Sequence, residues 1–152
     1  MQLVIKDLVN RLHALINDEE KESWSAEPDL PFFTDEVWAD MASKEYRLRR
    51  LRAKVFSKSE LFGEPAWDIV LDVFIRQMLG EKTSVTSACL ASCVPVTTAL
   101  RWIKVLEKEG LMEREDDPSD GRRYFLRMSP RGVRQMKQFL SQSRRTLQAR
   151  KL

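Results

Sequence analysis

Apolar positions recur at helical spacing through most of the chain. Ile5, Val9, Leu12 and Ile16, with Leu8 and Leu15 beside them, form one stripe and predict a helix over 3–22. The stretch SWSAEPDLPFF, with two prolines, reads as a linker. A long helix is expected from the capping residue Thr34 to about Phe56, with Asp35 and Glu36 at the positive end of its dipole. Val37, Met41, Leu48, Leu51 and Val55 line one side of it, and Arg47, Arg49, Arg50, Arg52 and Lys54 fill the others. After the break SKSELFGEP, Pro65 opens a third helix carrying Trp67, Val70, Leu71, Phe74, Ile75 and Met78, which Gly80 ends. A short helix over 84–92, a turn at Cys93-Val94 and a helix from Pro95 to Glu109 follow, the last stopped by Gly110.

The pattern then changes. Leu111–Arg114, the turn-rich EDDPSDG and RRYFLRM read as a β-hairpin with a long loop. Ser129-Pro130 starts a last helix over 130–150, with Val133, Met136, Phe139, Leu140 and Leu147 apolar. Helix, short helix, turn, helix, hairpin is the order of a winged helix-turn-helix. The predicted fold is therefore mainly α with a small β-hairpin wing, flanked by N- and C-terminal dimerisation helices. The expected division is an N-terminal helix and linker over 1–33, a long scaffold helix over 34–58, the winged helix-turn-helix over 59–129 and a C-terminal dimerisation helix over 130–152.

Such a fold places its second helix in the major groove, N-terminal residues against base edges. In the helix from Pro95, Ala99, Trp102, Ile103 and Leu106 supply a buried face. That leaves Val96, Thr97, Thr98, Leu100 and Arg101 pointing outward near its start. A threonine offers a hydroxyl to bases or phosphates and a methyl to thymine, and Arg101 can grip guanine or a phosphate. The hairpin turn ends in Gly121-Arg122-Arg123, and long cations at a hairpin tip suit the narrow minor groove. Asp120 either pairs with Arg122 or shapes the turn.

Charge strengthens this picture. The 152 residues carry a net charge of only +3. Residues 1–40 hold 3 basic and 10 acidic side chains, net −7, whereas residues 41–152 hold 23 basic and 13 acidic, net +10. A basic body suits a polyanion partner. With 43% hydrophobic and 32% charged residues the chain reads as a folded protein, and no apolar run approaches the roughly 20 residues of a membrane span. Asp7, Arg11 and His13 interrupt the apolar start, so a signal peptide is not expected and the cytoplasm is.

The segment RWIKVLEKEGLMEREDDPSDGRRYFLRMSPRG resembles the MarR (multiple antibiotic resistance regulator) family. It has the end of a recognition helix, a Gly-Leu pair, an Asp-Pro-x-Asp-x-Arg wing and a Ser-x-x-Gly start to the final helix. The matching residues are Leu106, Gly110, Leu111, Asp117, Pro118, Asp120, Arg122, Ser129 and Gly132, and the likeness covers roughly residues 65–132. It implies a bacterial-type, homodimeric regulator of double-stranded DNA, commonly a repressor and often released by a small-molecule effector. It also implies that Arg122 reaches the minor groove with Asp120 in support. The chain departs from the family in its N-terminal helix, in the short stretch after Gly132, and in placing Cys93 where the turn usually has glycine. A residue with a Cβ there must either tolerate a left-handed backbone or avoid it.

Other chemistries find little support. No phosphate loop, nucleophile elbow or metal-ligand cluster is present, so neither an enzyme nor a metal or other cofactor is expected. Cys89 and Cys93 are too few for a disulfide framework or a zinc site, and His13 is far from both. Cys89 falls at a core position, and a reactive thiol would want a cationic, partly exposed setting. The rival to DNA binding is a winged-helix protein adaptor, in which the acidic first 40 residues, with Trp24, Phe32, Phe33 and Trp38, dock a basic partner.

Overall fold

The computed structural model describes residues 30–56 and 63–149. The expected helix over 3–22, His13 and the cores of both linkers lie outside these residues. Helix α1 (Asp35–Val55) is followed by α2 (Pro65–Met78), strand β1 (Thr83–Ser84), α3 (Val85–Ala91) and α4 (Val96–Lys108). Strands β2 (Met112–Asp116) and β3 (Tyr124–Met128) form the hairpin, and α5 (Pro130–Ala149) closes the described chain. The sheet has three antiparallel strands in the order β1-β3-β2, with Thr83 opposite Leu126 and Arg114 opposite Leu126 on its other edge. This is a winged helix, mainly α with a small β wing.

Helix α2 forms the centre. Ile69, Leu71, Val73 and Phe74 are fully buried, on more than one side of the helix, as expected of a helix enclosed by α1, α3, α4 and β3. Ala88 of α3, Ala99, Ile103 and Leu106 of α4, Met112, Leu126 and Met128 of the hairpin, and Met136 and Leu140 of α5 complete the same core. Gln77 ties α2 to the sheet: its Oε1 accepts from the Met128 N–H at 2.7 Å.

The Ser-Pro start of α5 has a physical reason. The Ser129 hydroxyl donates to the Gly110 carbonyl at 2.7 Å and accepts from the Gly132 N–H at 2.9 Å, capping α5 while anchoring it to the end of α4. A Cβ on Gly132 would run into the Leu111 carbonyl oxygen and the Met128 methyl, so only glycine fits this crossing. Gly110 has φ +69 and closes α4 with a Leu111 N–H to Leu106 carbonyl bond of 3.0 Å.

Several expectations change. Strand β1, two residues long and without a readable alternation, was not anticipated. Of the stripe Val37, Met41, Leu48, Leu51 and Val55 of α1, Met41 packs against the core, whereas Leu48, Leu51 and Val55 are all more than half exposed. Trp38, Ala39, Ala42 and Arg49 are buried instead. Arg49 is tolerated there because its Nε donates to Asp68 Oδ1 of α2 at 2.7 Å and its Nη1 pairs with Glu64. Arg50 pairs with the other Asp68 oxygen. On α4, Trp102 is 38% exposed rather than part of the buried face, and Leu100 is half-buried against the core rather than fully outward. The exposed positions of α4 are Val96, Thr97, Arg101, Trp102, Lys104, Val105 and Lys108.

Candidate nucleic-acid interface

Helix α3 begins at Ser84, whose hydroxyl accepts from the Ser87 N–H at 3.1 Å. It ends at a turn in which the Ser92 hydroxyl donates to the Cys89 carbonyl at 2.6 Å. Cys93 then takes φ 53, the left-handed conformation that a Cβ disfavours. The position usually filled by glycine is therefore left-handed here too, with a cysteine accepting the strain. The turn is braced from α1: the Tyr46 hydroxyl donates to the Ala91 carbonyl at 3.1 Å, and the Arg50 guanidinium lies 5.2 Å above the Tyr46 ring. Burial pushes the Tyr46 phenol pKa up, so it is a hydrogen-bond donor at any physiological pH.

Helix α4 starts at Pro95, whose carbonyl accepts from the Thr98 and Ala99 N–H groups at 2.9 and 3.0 Å. Its first turn presents Val96 and Thr97 to solvent, with Thr98 half-buried, and Arg101 follows one turn on. The wing tip is held by its own acids. The Asp117 carboxylate accepts from the Ser119 hydroxyl at 2.6 Å and the Ser119 N–H at 2.9 Å, and these bonds hold its pKa below the ordinary carboxylate value. Asp120 Oδ1 accepts from the Arg122 N–H at 3.0 Å. Asp120 therefore acts on the backbone of Arg122, shaping the turn, and forms no ion pair with the Arg122 guanidinium.

Many cations around this face are paired internally, while other described cations are exposed without an ion pair, among them Lys104 and Arg123 here and Arg134 and Arg145 on α5. Lys82 pairs with Glu115 at 2.7 Å, Arg127 with Glu113 at 2.8 Å, Arg76 with Asp72 at 3.2 Å, and Arg114 with Glu107. Of the basic run Arg47–Lys54 on α1, Arg49 and Arg50 are consumed by Asp68 and Glu64, and Arg47 reaches Asp40 at 4.0 Å. Among the described residues, Arg101 and Arg122 carry neither an ion pair nor a side-chain hydrogen bond, and both are exposed. Arg123 is exposed as well and meets Asp117 only at longer range. A cleft beside the wing brings Arg122, Arg123 and Tyr124 together with Ser84, Val85 and Thr86 at the start of α3. Ser84 and Thr86 escaped the sequence reading because a lone hydroxyl residue in a short helix carries no spacing signal. Among the described residues no cluster of potential metal ligands occurs, and no single helix is long and apolar enough to cross a membrane.

Fold and face together define the class: a winged helix-turn-helix with a cationic wing and an exposed start to α4. No family model and no curated protein matches the sequence. Solved structures do. The S. aureus MepR–DNA complex matches with TM-score 0.51 and 17% identity over 74% of this chain and 86% of that one. Heme-free PefR matches with TM-score 0.46 and 18% identity over 95% and 98% of the two chains. MarR matches with TM-score 0.43 and 21% identity over 70% and 72%. The likeness to MepR is one of fold.

Proposed function

We propose that the protein is a sequence-specific, DNA-binding transcriptional regulator that binds an inverted-repeat operator as a homodimer and acts as a repressor. The recognition helix α4 enters the major groove with Val96, Thr97, Thr98, Leu100 and Arg101 at its leading end, while Arg122 and Arg123 reach the minor groove. The observation that carries this reading is the pair Arg101 and Arg122, exposed on helix α4 and on the wing without ion pairs among the described residues, with Lys104 and Arg123 exposed and without ion pairs beside them. A cation that will meet phosphate or guanine is useful only if its charge is not already spent internally. The fold shared with MepR, solved as a DNA complex, supports the same docking. A homodimer is supported by the apolar residues that α1 and α5 leave open, Leu48 and Leu147 above all, at 63% and 69% exposure.

The test is affinity at fixed salt for a selected duplex. Arg101→Ala is expected to weaken specific binding roughly tenfold or more and to relax selectivity. Arg122→Ala is expected to weaken binding to all sequences and to flatten the salt dependence by about one counterion. Unchanged affinity in both variants would remove DNA docking and leave the protein-adaptor reading.

A further inference from the structure

The recognition head carries an apolar feature that the cations do not explain. Val85, Cys89, Leu90, Cys93, Val94, Val96 and Leu100 surround a hollow in the crook between α3 and α4, with Thr86 as its one hydroxyl-bearing wall. Leu90 is 75% exposed and Val96 60% exposed, so two branched side chains stand in water at the rim of one hollow. Single exposed apolar residues are ordinary, but a contiguous group marks a contact surface.

What covers it follows from its neighbours. Val85 and Thr86 also wall the cleft that holds Arg122 and Arg123. On α4, Val96 and Leu100 are spaced i,i+4 and form one row, and Thr97 and Arg101, spaced the same way, form the adjacent row. The hollow is therefore bordered by exposed arginines free of ion pairs, on the wing side and along α4, and no acidic side chain lines it. An apolar patch inside a cationic frame fits a polyanion that offers apolar groups, and in duplex DNA the apolar group of the major groove is the C5-methyl of thymine.

We infer that the Leu90, Val96 and Leu100 surface is a thymine-methyl reader, so that each operator half-site carries a thymine whose methyl packs against Val96. The inference rests on the DNA-binding reading and adds the chemistry of the base read. Thr97 and Arg101 then fix hydrogen-bonded positions while Val96 and Leu90 discriminate by removing a methyl group from water.

The experiment uses the full chain and a duplex obtained by selection from a random pool. Each selected thymine is replaced in turn by deoxyuridine, which deletes the methyl and keeps the Watson–Crick face. At one position per half-site the substitution should weaken binding about fourfold, the value of one buried methyl group. With Val96→Ala the same substitution should cost less than about twofold, because its partner is gone. Val96 is exposed, so this variant should fold, and an unchanged melting temperature would verify it. Sequence-selective binding with thymine and uracil duplexes bound equally would overturn the inference while leaving the DNA reading intact. A thymine preference undiminished in both Val96→Ala and Leu90→Ala would overturn it as well. Absence of any selected sequence would overturn the DNA reading, and this inference with it.

Discussion

At Cys93 the backbone turns through φ 53, a conformation that costs a residue with a Cβ on the order of 1 kcal/mol. The side chain is exposed, whereas Cys89, four residues earlier, is only 5% exposed, and its burial pushes the thiol pKa up. The two thiols line the same hollow but differ in access. Native protein treated briefly with iodoacetamide at neutral pH should gain one alkyl group by mass spectrometry, mapped to Cys93. A second should appear only in denaturant. Equal rates at both thiols would contradict the burial of Cys89. The left-handed turn was legible as a choice, because the residue type alone could not decide whether the backbone tolerates the strain or avoids it.

Among elements, α1 shows why patterning misleads. Most of its apolar stripe stays in water, Met41 excepted, and its fully buried side is Trp38, two alanines and Arg49. A periodicity reading weights large aliphatics and discounts alanine and arginine, so the buried side looked polar. What reverses the choice is a partner 19 residues away: Asp68, 1% exposed, which both Arg49 and Arg50 meet. Asp68→Ala should lower unfolding stability by about 3–5 kcal/mol, since it strands a buried guanidinium. The paired change Arg49→Met with Asp68→Leu should restore most of that in chemical denaturation. A single variant as stable as the wild type would show that the pair is not buried in solution. The wing, by contrast, was legible almost residue by residue. Asp117, Pro118, Asp120 and Gly121 are turn formers, the two aspartates acting through bonds to nearby backbone, and local chemistry is what a sequence displays. Strand β1 exists only because β3 offers an edge, and no local signal announces it.

At the scale of the whole molecule, two surfaces stand open among the described residues. One is the reading head, with Thr97, Arg101 and the wing arginines. The other lies along α1 and α5, where Val37, Met41, Leu48, Leu140 and Leu147 line an open groove of about 500 Å³ edged by Asp40, Lys44, Glu45 and Arg144. A groove carrying both signs of charge suits an isologous contact, in which the same patch meets itself across a two-fold axis. Under the proposed function the two surfaces act together: a two-fold dimer would place two copies of α4 about one turn of DNA apart, and the operator would mirror that symmetry. The thermodynamic consequence is that specific affinity depends on both protein concentration and salt.

The most direct measurement is selection of bound sequences from a random duplex pool by the purified full chain at near-physiological salt. The account predicts enrichment of an inverted repeat whose half-sites are centred about 10 base pairs apart, with a thymine held constant in each half. Recovery of no preferred sequence, with only weak and steeply salt-dependent binding, would contradict it.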